Sequence, residues 1–135
     1  MRIVLDTNVL VSAMLSAGGA PDQVLQLVLQ GELRLLVDSR IIGEYDEVTA
    51  RSRFGFDASE RRTLIETLGA IAEQVLAVPL NLTLPDPEDR AFAEVALAGK
   101  ADAIVTGNVA HFKPKRGSPA VAVLSPRQLV DRMRR

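Results

Sequence analysis

Asp6 interrupts an apolar stretch: Ile3-Val4-Leu5 leads into it, and Val9-Leu10-Val11 resumes shortly after it. Burying a polar group without partners costs about 2–7 kcal/mol, and a charge costs more, so Asp6 requires a hydrogen-bonded, ion-paired or metal-bound setting. Further acids stand at comparable places. Asp38-Ser39 closes the apolar run Leu35-Leu36-Val37, and Glu44 shares a helical face with Ile41 and Val48. Asp86 and Asp89 precede Asp102-Ala-Ile-Val-Thr106-Gly107, which is followed by Asn108. Carboxylates brought together repel one another, and a divalent cation removes the repulsion; Mg²⁺ prefers oxygen ligands and keeps several waters. A site of that kind neutralises a phosphoryl group and generates a hydroxide-like nucleophile, which is what phosphodiester hydrolysis requires. Each acid also admits a structural explanation. Asp86 and Asp89 suit the first turn of a helix through its macrodipole, and Glu44 suits a solvated position beside Tyr45.

The elements that must position these residues follow from periodicity and punctuation. Residues 2–6 read as a short β-branched strand, and residues 8–16 as a helix ended by Gly18-Gly19. A second helix starts near Pro21 and stops at Gly31, ahead of a buried-type strand over residues 33–39. Ser39 is the expected cap of the helix over residues 40–51, and Asp57 with Glu60 forms a capping box for the next. Val75–Val78 reads as a strand before Pro79, residues 81–87 as a loop, and residues 88–99 as a helix ended by Gly99. Strands at residues 102–107 and 120–126 follow, and Ser125-Pro126 opens a terminal helix. Strands separated by helices imply an α/β fold. The expectation is a single-domain sandwich over residues 1–135, with a central, mostly parallel sheet flanked by helices. In open α/β sheets the ligand crevice lies beyond the carboxyl ends of the strands, which is where Asp6 and Asn108 fall.

Composition narrows the function classes. Of 135 residues, 47% are hydrophobic and 24% charged, which excludes a disordered chain. Lys+Arg 16 against Asp+Glu 17 excludes an overall basic field, so nucleic-acid contacts must come from local clusters. Arg51, Arg53, Lys113 and Arg116 are the first candidates, although basic residues also cap helices and maintain solubility. With no cysteine, thiolate metal sites are excluded, and a metal must bind to oxygen with at most His111 added. His111, a lone histidine before Phe112, is more simply a packed or loop residue. Met1-Arg2 runs directly into a strand with no apolar leader and no later run approaches a membrane span, so a soluble cytoplasmic protein is expected.

The segments IVLDTNVLVSA, SRIIGEYDEVTARSRFGF, DPEDRAFAEVALAGKADAIVTGNVAHF and VLSPRQLVDRM, in that order, resemble the PIN-domain family, in its branch of VapC-like toxins of toxin–antitoxin systems. A lone Asp-Thr-Asn would be weak; the ordered segments reach over almost the whole chain. The resemblance implies a Mg²⁺- or Mn²⁺-dependent ribonuclease. It makes Asp6, Glu44 and Asp89 the metal-binding acids, and puts Asn108 where many members carry a further acid. Asn8 and Thr106 become polar supports, and Asp86 and Asp102 additional acids around the site. It also implies an RNA substrate, a cognate antitoxin and a homodimer. An amide at position 108 supplies no negative charge, so one tightly held metal is expected, with a second joining only alongside RNA phosphate.

Two other readings compete. Haloacid-dehalogenase-like phosphatases also end their first strand on Asp, but need a second acid where this chain has Asn8. The other is a binding or assembly module with a weakened site, which Asn108 favours and Asp6, Glu44 and Asp89 oppose.

Overall fold

Ile3, Val4 and Leu5 are fully buried, as are Leu36 and Val37, so these strands face protein on both sides and read as continuous apolar runs. They are β1 (Arg2–Leu5) and β2 (Arg34–Val37) of a sheet completed by β3 (Glu73–Gln74), β4 (Ala103–Val105) and β5 (Val123–Leu124). The computed structural model describes residues 1–79, 89–112 and 121–134, apart from the His111 side chain. The five strands stand in the order β3-β2-β1-β4-β5, and every pairing is parallel. The chain therefore builds outward from β1 through β2 to β3, then returns to place β4 on the other side of β1. The seam between β1 and β4 is the topological switch point, where α/β sheets open their ligand crevice.

Helices α1 (Thr7–Leu15), α2 (Ala20–Leu29), α3 (Ser39–Thr49), α4 (Ala58–Ile71), α5 (Arg90–Ala98) and α6 (Pro126–Met133) flank the sheet. α5 packs against β1, β2 and β4, α4 against β2, and α6 against β5 and α2. Pro21 lies in the first turn of α2, and Gly31 just after that helix has the left-handed φ of 81° its stop requires. Asp57 caps α4 by accepting from Glu60 N at 2.9 Å, and Ser125 and Gln128 form a reciprocal capping box on α6.

Two local expectations are corrected. The cap of α3 is Asp38 rather than Ser39: Asp38 is extended, its Oδ1 accepts from Ile41 N at 3.0 Å, and its charge complements the helix dipole. The strand near residue 75 is Glu73–Gln74, not Val75–Val78. Val75 N still donates to Val37 O at 2.8 Å, but β2 ends there and α3 begins at Ser39, so no partner strand continues. Leu76 and Val78 are consequently exposed.

Gly99 lets the end of α5 close onto the sheet. A Cβ there would lie 2.8 Å from Leu36 Cδ1, 3.0 Å from Val75 Cγ2 and 3.0 Å from Val95 O. Restricting the unfolded chain with alanine is worth about 0.4–1 kcal/mol, and crowding a packed core costs about 1–3, so crowding wins. Gly99→Ala should lower the urea midpoint by an amount equivalent to about 1–2 kcal/mol; an unchanged or raised midpoint contradicts this packing.

Candidate active site

Leu5 pairs with Val105 in register, so Asp6 and Thr106 leave β1 and β4 side by side. Asp6 N donates to Val105 O at 2.9 Å, and Thr106 Oγ1 donates to Asp6 Oδ2 at 2.7 Å. Thr106 Oγ1 also accepts from Asn108 N at 3.0 Å, and Asn8 Oδ1 accepts from Gly107 N at 3.2 Å. Thr106 and Asn8 thus form a polar clasp across the switch point.

Asp6 and Asp89 occupy the N-cap positions of α1 and α5, yet neither side chain caps its helix. Asp38, Asp57 and Ser125 do cap theirs. Asp6 and Asp89 are 8% and 9% exposed and both line one cavity of about 820 Å³. Glu44 and Asn108 line the same cavity, so four separate segments of the chain converge on it. Its wall carries the carboxylates of Asp6, Glu44, Glu47 and Asp89 and the guanidiniums of Arg40, Arg51 and Arg53. Among the described residues, no three acidic or histidine side chains stand close enough to form a ready metal cage.

Glu44 is oriented from two directions. Thr7 Oγ1 donates to Glu44 Oε2. The adjacent Tyr45, fully buried, donates its hydroxyl to Leu5 O at 2.5 Å and ties α3 to the end of β1. Burial first, then the fields of Asp6 and Glu44, push the Tyr45 phenol well above its ordinary pKa.

Arg40 reaches into the same region. Its Nη1 bonds Glu94 Oε1 at 2.7 Å, and its Nε and Nη2 lie 2.8 Å from Asp38 Oδ2. The Glu94 hydrogen bond leads the causes that raise the Arg40 pKa, against the opposing effect of burial. Arg51 faces Glu47 at 3.7 Å, and the Arg53 guanidinium lies 4.8 Å from the centre of the Phe54 ring. Arg51 and Arg53, two of the four basic residues expected at the rim, both line the cavity.

Asp102 is not. It precedes β4 at the opposite end of the sheet and accepts from Arg2 N at 2.7 Å, because parallel strands send their amino and carboxyl ends to opposite edges. Asp86, Lys113, Arg116 and the His111 side chain lie outside the described residues. Sequence reasoning missed Thr7, Arg40, Tyr45 and Glu94. Glu94 carried a visible signal, an acid between the buried residues Ala93 and Val95. Arg40 carried none, since Glu94 is 54 residues away.

The family model for the PIN domain matches residues 2–110, a span that includes Asp6, Glu44, Asp89 and Asn108. The chain belongs to the PIN-domain family. Among solved structures, that of VapBC2 from Rickettsia felis bound to a DNA fragment from their promoter contains a chain similar to this PIN domain. The two are 15% identical with a TM-score of 0.61, over 93% of this chain and 98% of that one, which establishes a shared fold. No curated protein matches the chain. Family membership sets aside the phosphatase alternative, and Asn8, where that chemistry needs an acid, instead holds Gly107 N.

Tyr45 is the only tyrosine of this PIN domain, so ultraviolet titration reports it alone. Tyrosinate absorbance should not rise as the pH passes about 10, the ordinary phenol value. Only the unfolded chain ionises there, so stability is intact below that pH and falls above it, and the signal should appear together with unfolding. A tyrosinate transition near pH 10 in the folded protein contradicts the buried placement.

Proposed function

We propose that this PIN domain is a metal-dependent ribonuclease, the toxin of a toxin–antitoxin pair. The observation that carries the reading is the pair of N-cap acids, Asp6 and Asp89, spared from capping and lining one cavity with Glu44 and Asn108. Their donor set is oxygen only, which suits Mg²⁺ or Mn²⁺. Since no three described acids form a cage, the fit is to a cation held by one or two carboxylates, with water and substrate phosphate completing its shell. Asp6 and Asp89 would hold that cation, with Glu44 contacting it directly or through water.

Such a cation supplies charge neutralisation at the phosphate and makes a nearby water more acidic. The chain's own residues do the rest. Thr106 fixes the Asp6 carboxylate through its 2.7 Å bond, and Thr7 fixes Glu44. The Asn108 amide places the attacking water, which displaces the ribose oxygen and leaves 5′-phosphate and 3′-hydroxyl ends. Arg51 and Arg53, together with Lys113 and Arg116 from outside the described residues, offset repulsion between RNA and the acids.

An antitoxin partner is supported by the shared fold with a chain of VapBC2. A homodimer and a cytoplasmic location complete the reading. Among the described residues, no helix is long and apolar enough to cross a membrane. The rival reading, a binding module with a weakened site, draws on the uncharged amide of Asn108.

Incubation of a mixed RNA pool with Mn²⁺ should give cleavage with 5′-phosphate ends. EDTA should abolish it, and Asp6→Asn should slow it by about a hundredfold or more, the scale of losing one main electrostatic contributor. Unchanged cleavage in the variant overturns the catalytic assignment, and no cleavage by the intact protein favours the binding module.

A further inference from the structure

Arg40 differs from the other cations of the cavity in how it is held. Its guanidinium lies between two carboxylates, Asp38 Oδ2 at 2.8 Å and Glu94 Oε1 at 2.7 Å. Asp38 is itself fixed as the N-cap of α3, and Glu94 is 2% exposed within α5. The arginine side chain nevertheless remains 47% exposed and lines the cavity beside Asp6, Glu44 and Asp89. A guanidinium carries N–H donors in a rigid fork, and each Nη has two. Those pointing at Asp38 and Glu94 set the plane; the others on Nη1 and Nη2 remain for a ligand. By contrast Arg51 makes only a loose 3.7 Å pair with an exposed Glu47, and pays the full cost of ordering a flexible side chain when it binds.

We propose, resting on the ribonuclease reading, that Arg40 binds a phosphate of the RNA chain next to the acids, and that Asp38 and Glu94 are its positioning residues. The bland alternative is that Arg40 only neutralises a buried Glu94. That role would account for the 2.7 Å pair, but it needs neither the second clamp from Asp38 nor a guanidinium half open to the cavity.

The two roles separate by salt dependence. A short fluorescent single-stranded RNA is titrated with the full chain carrying Asp6→Asn, so that it is not cut, over a series of KCl concentrations. Each phosphate contact to single-stranded RNA contributes about 0.7 to the slope of log affinity against log salt. Arg40→Gln should weaken binding about tenfold and lower the slope by about 0.7. Because that change takes the Arg40 charge away from the buried Glu94, Arg40→Gln/Glu94→Gln is measured alongside; it removes both charges and should show the same slope loss. Arg62→Gln, an exposed arginine of α4, should leave the slope unchanged. A double variant that retains the parental slope, or an equal loss with Arg62→Gln, overturns the proposal. If the intact protein with Mn²⁺ neither cuts nor holds the RNA, the ribonuclease reading falls with the proposal, whereas RNA binding with an unaltered slope in the Arg40 variants removes Arg40 alone.

Discussion

The bond between Thr106 and Asp6 across the seam of β1 and β4 is the contact on which the rest of the site depends. Asp6 is only 8% exposed, and the hydroxyl of Thr106, just beyond the neighbouring strand, meets its carboxylate at 2.7 Å and offsets part of the cost of burial. That meeting is set by strand register: Leu5 opposite Val105 brings the next residue of each strand together. A shift of one residue would turn every side chain of β1 to the other face. The apolar packing of Val4 and Leu5 therefore fixes the position of the acid that follows them. Tyr45 then joins α3 to the same strand end, so Glu44 inherits its place from the same frame.

The sequence made this much of the fold legible because parallel strands buried on both faces are unbroken apolar runs, and their ends are marked by polar residues. Asp6 and Thr106 were readable for that reason, and the helix starting near Asp89 was announced by the apolar pattern of residues 92–97. Elements dictated by tertiary partners were not legible. The Val75–Val78 run has strand-forming residues, but whether it pairs depends on where β2 stops, and β2 gives way to α3 after Val37. Asp102 looked like an acid near the site because it adjoins β4. Only strand direction places it at the far edge, bonded to Arg2. The Arg40–Glu94 pair joins residues 54 apart, a coincidence of packing that no local pattern encodes.

Charge balance in the cavity gives the near-neutral composition a spatial meaning. Asp6, Glu44, Glu47 and Asp89 line it together with Arg40, Arg51 and Arg53, so opposite charges meet in one cavity and nearly cancel in the total. Asn108 is the point where the pattern is weakest. Its amide offers an oxygen without charge.

In the proposed reading, Asp6 holds a divalent cation at this seam with the acids around it. Thermal unfolding of the intact protein and of Asp6→Asn across a Mg²⁺ or Mn²⁺ titration tests it most directly. Binding to the folded state alone stabilises by about 2.7 kcal/mol at a hundredfold excess over Kd. The intact protein should therefore show a midpoint that climbs with cation concentration, and Asp6→Asn should lose most of that climb. A midpoint indifferent to the cation, or one that climbs equally in both proteins, would contradict the account.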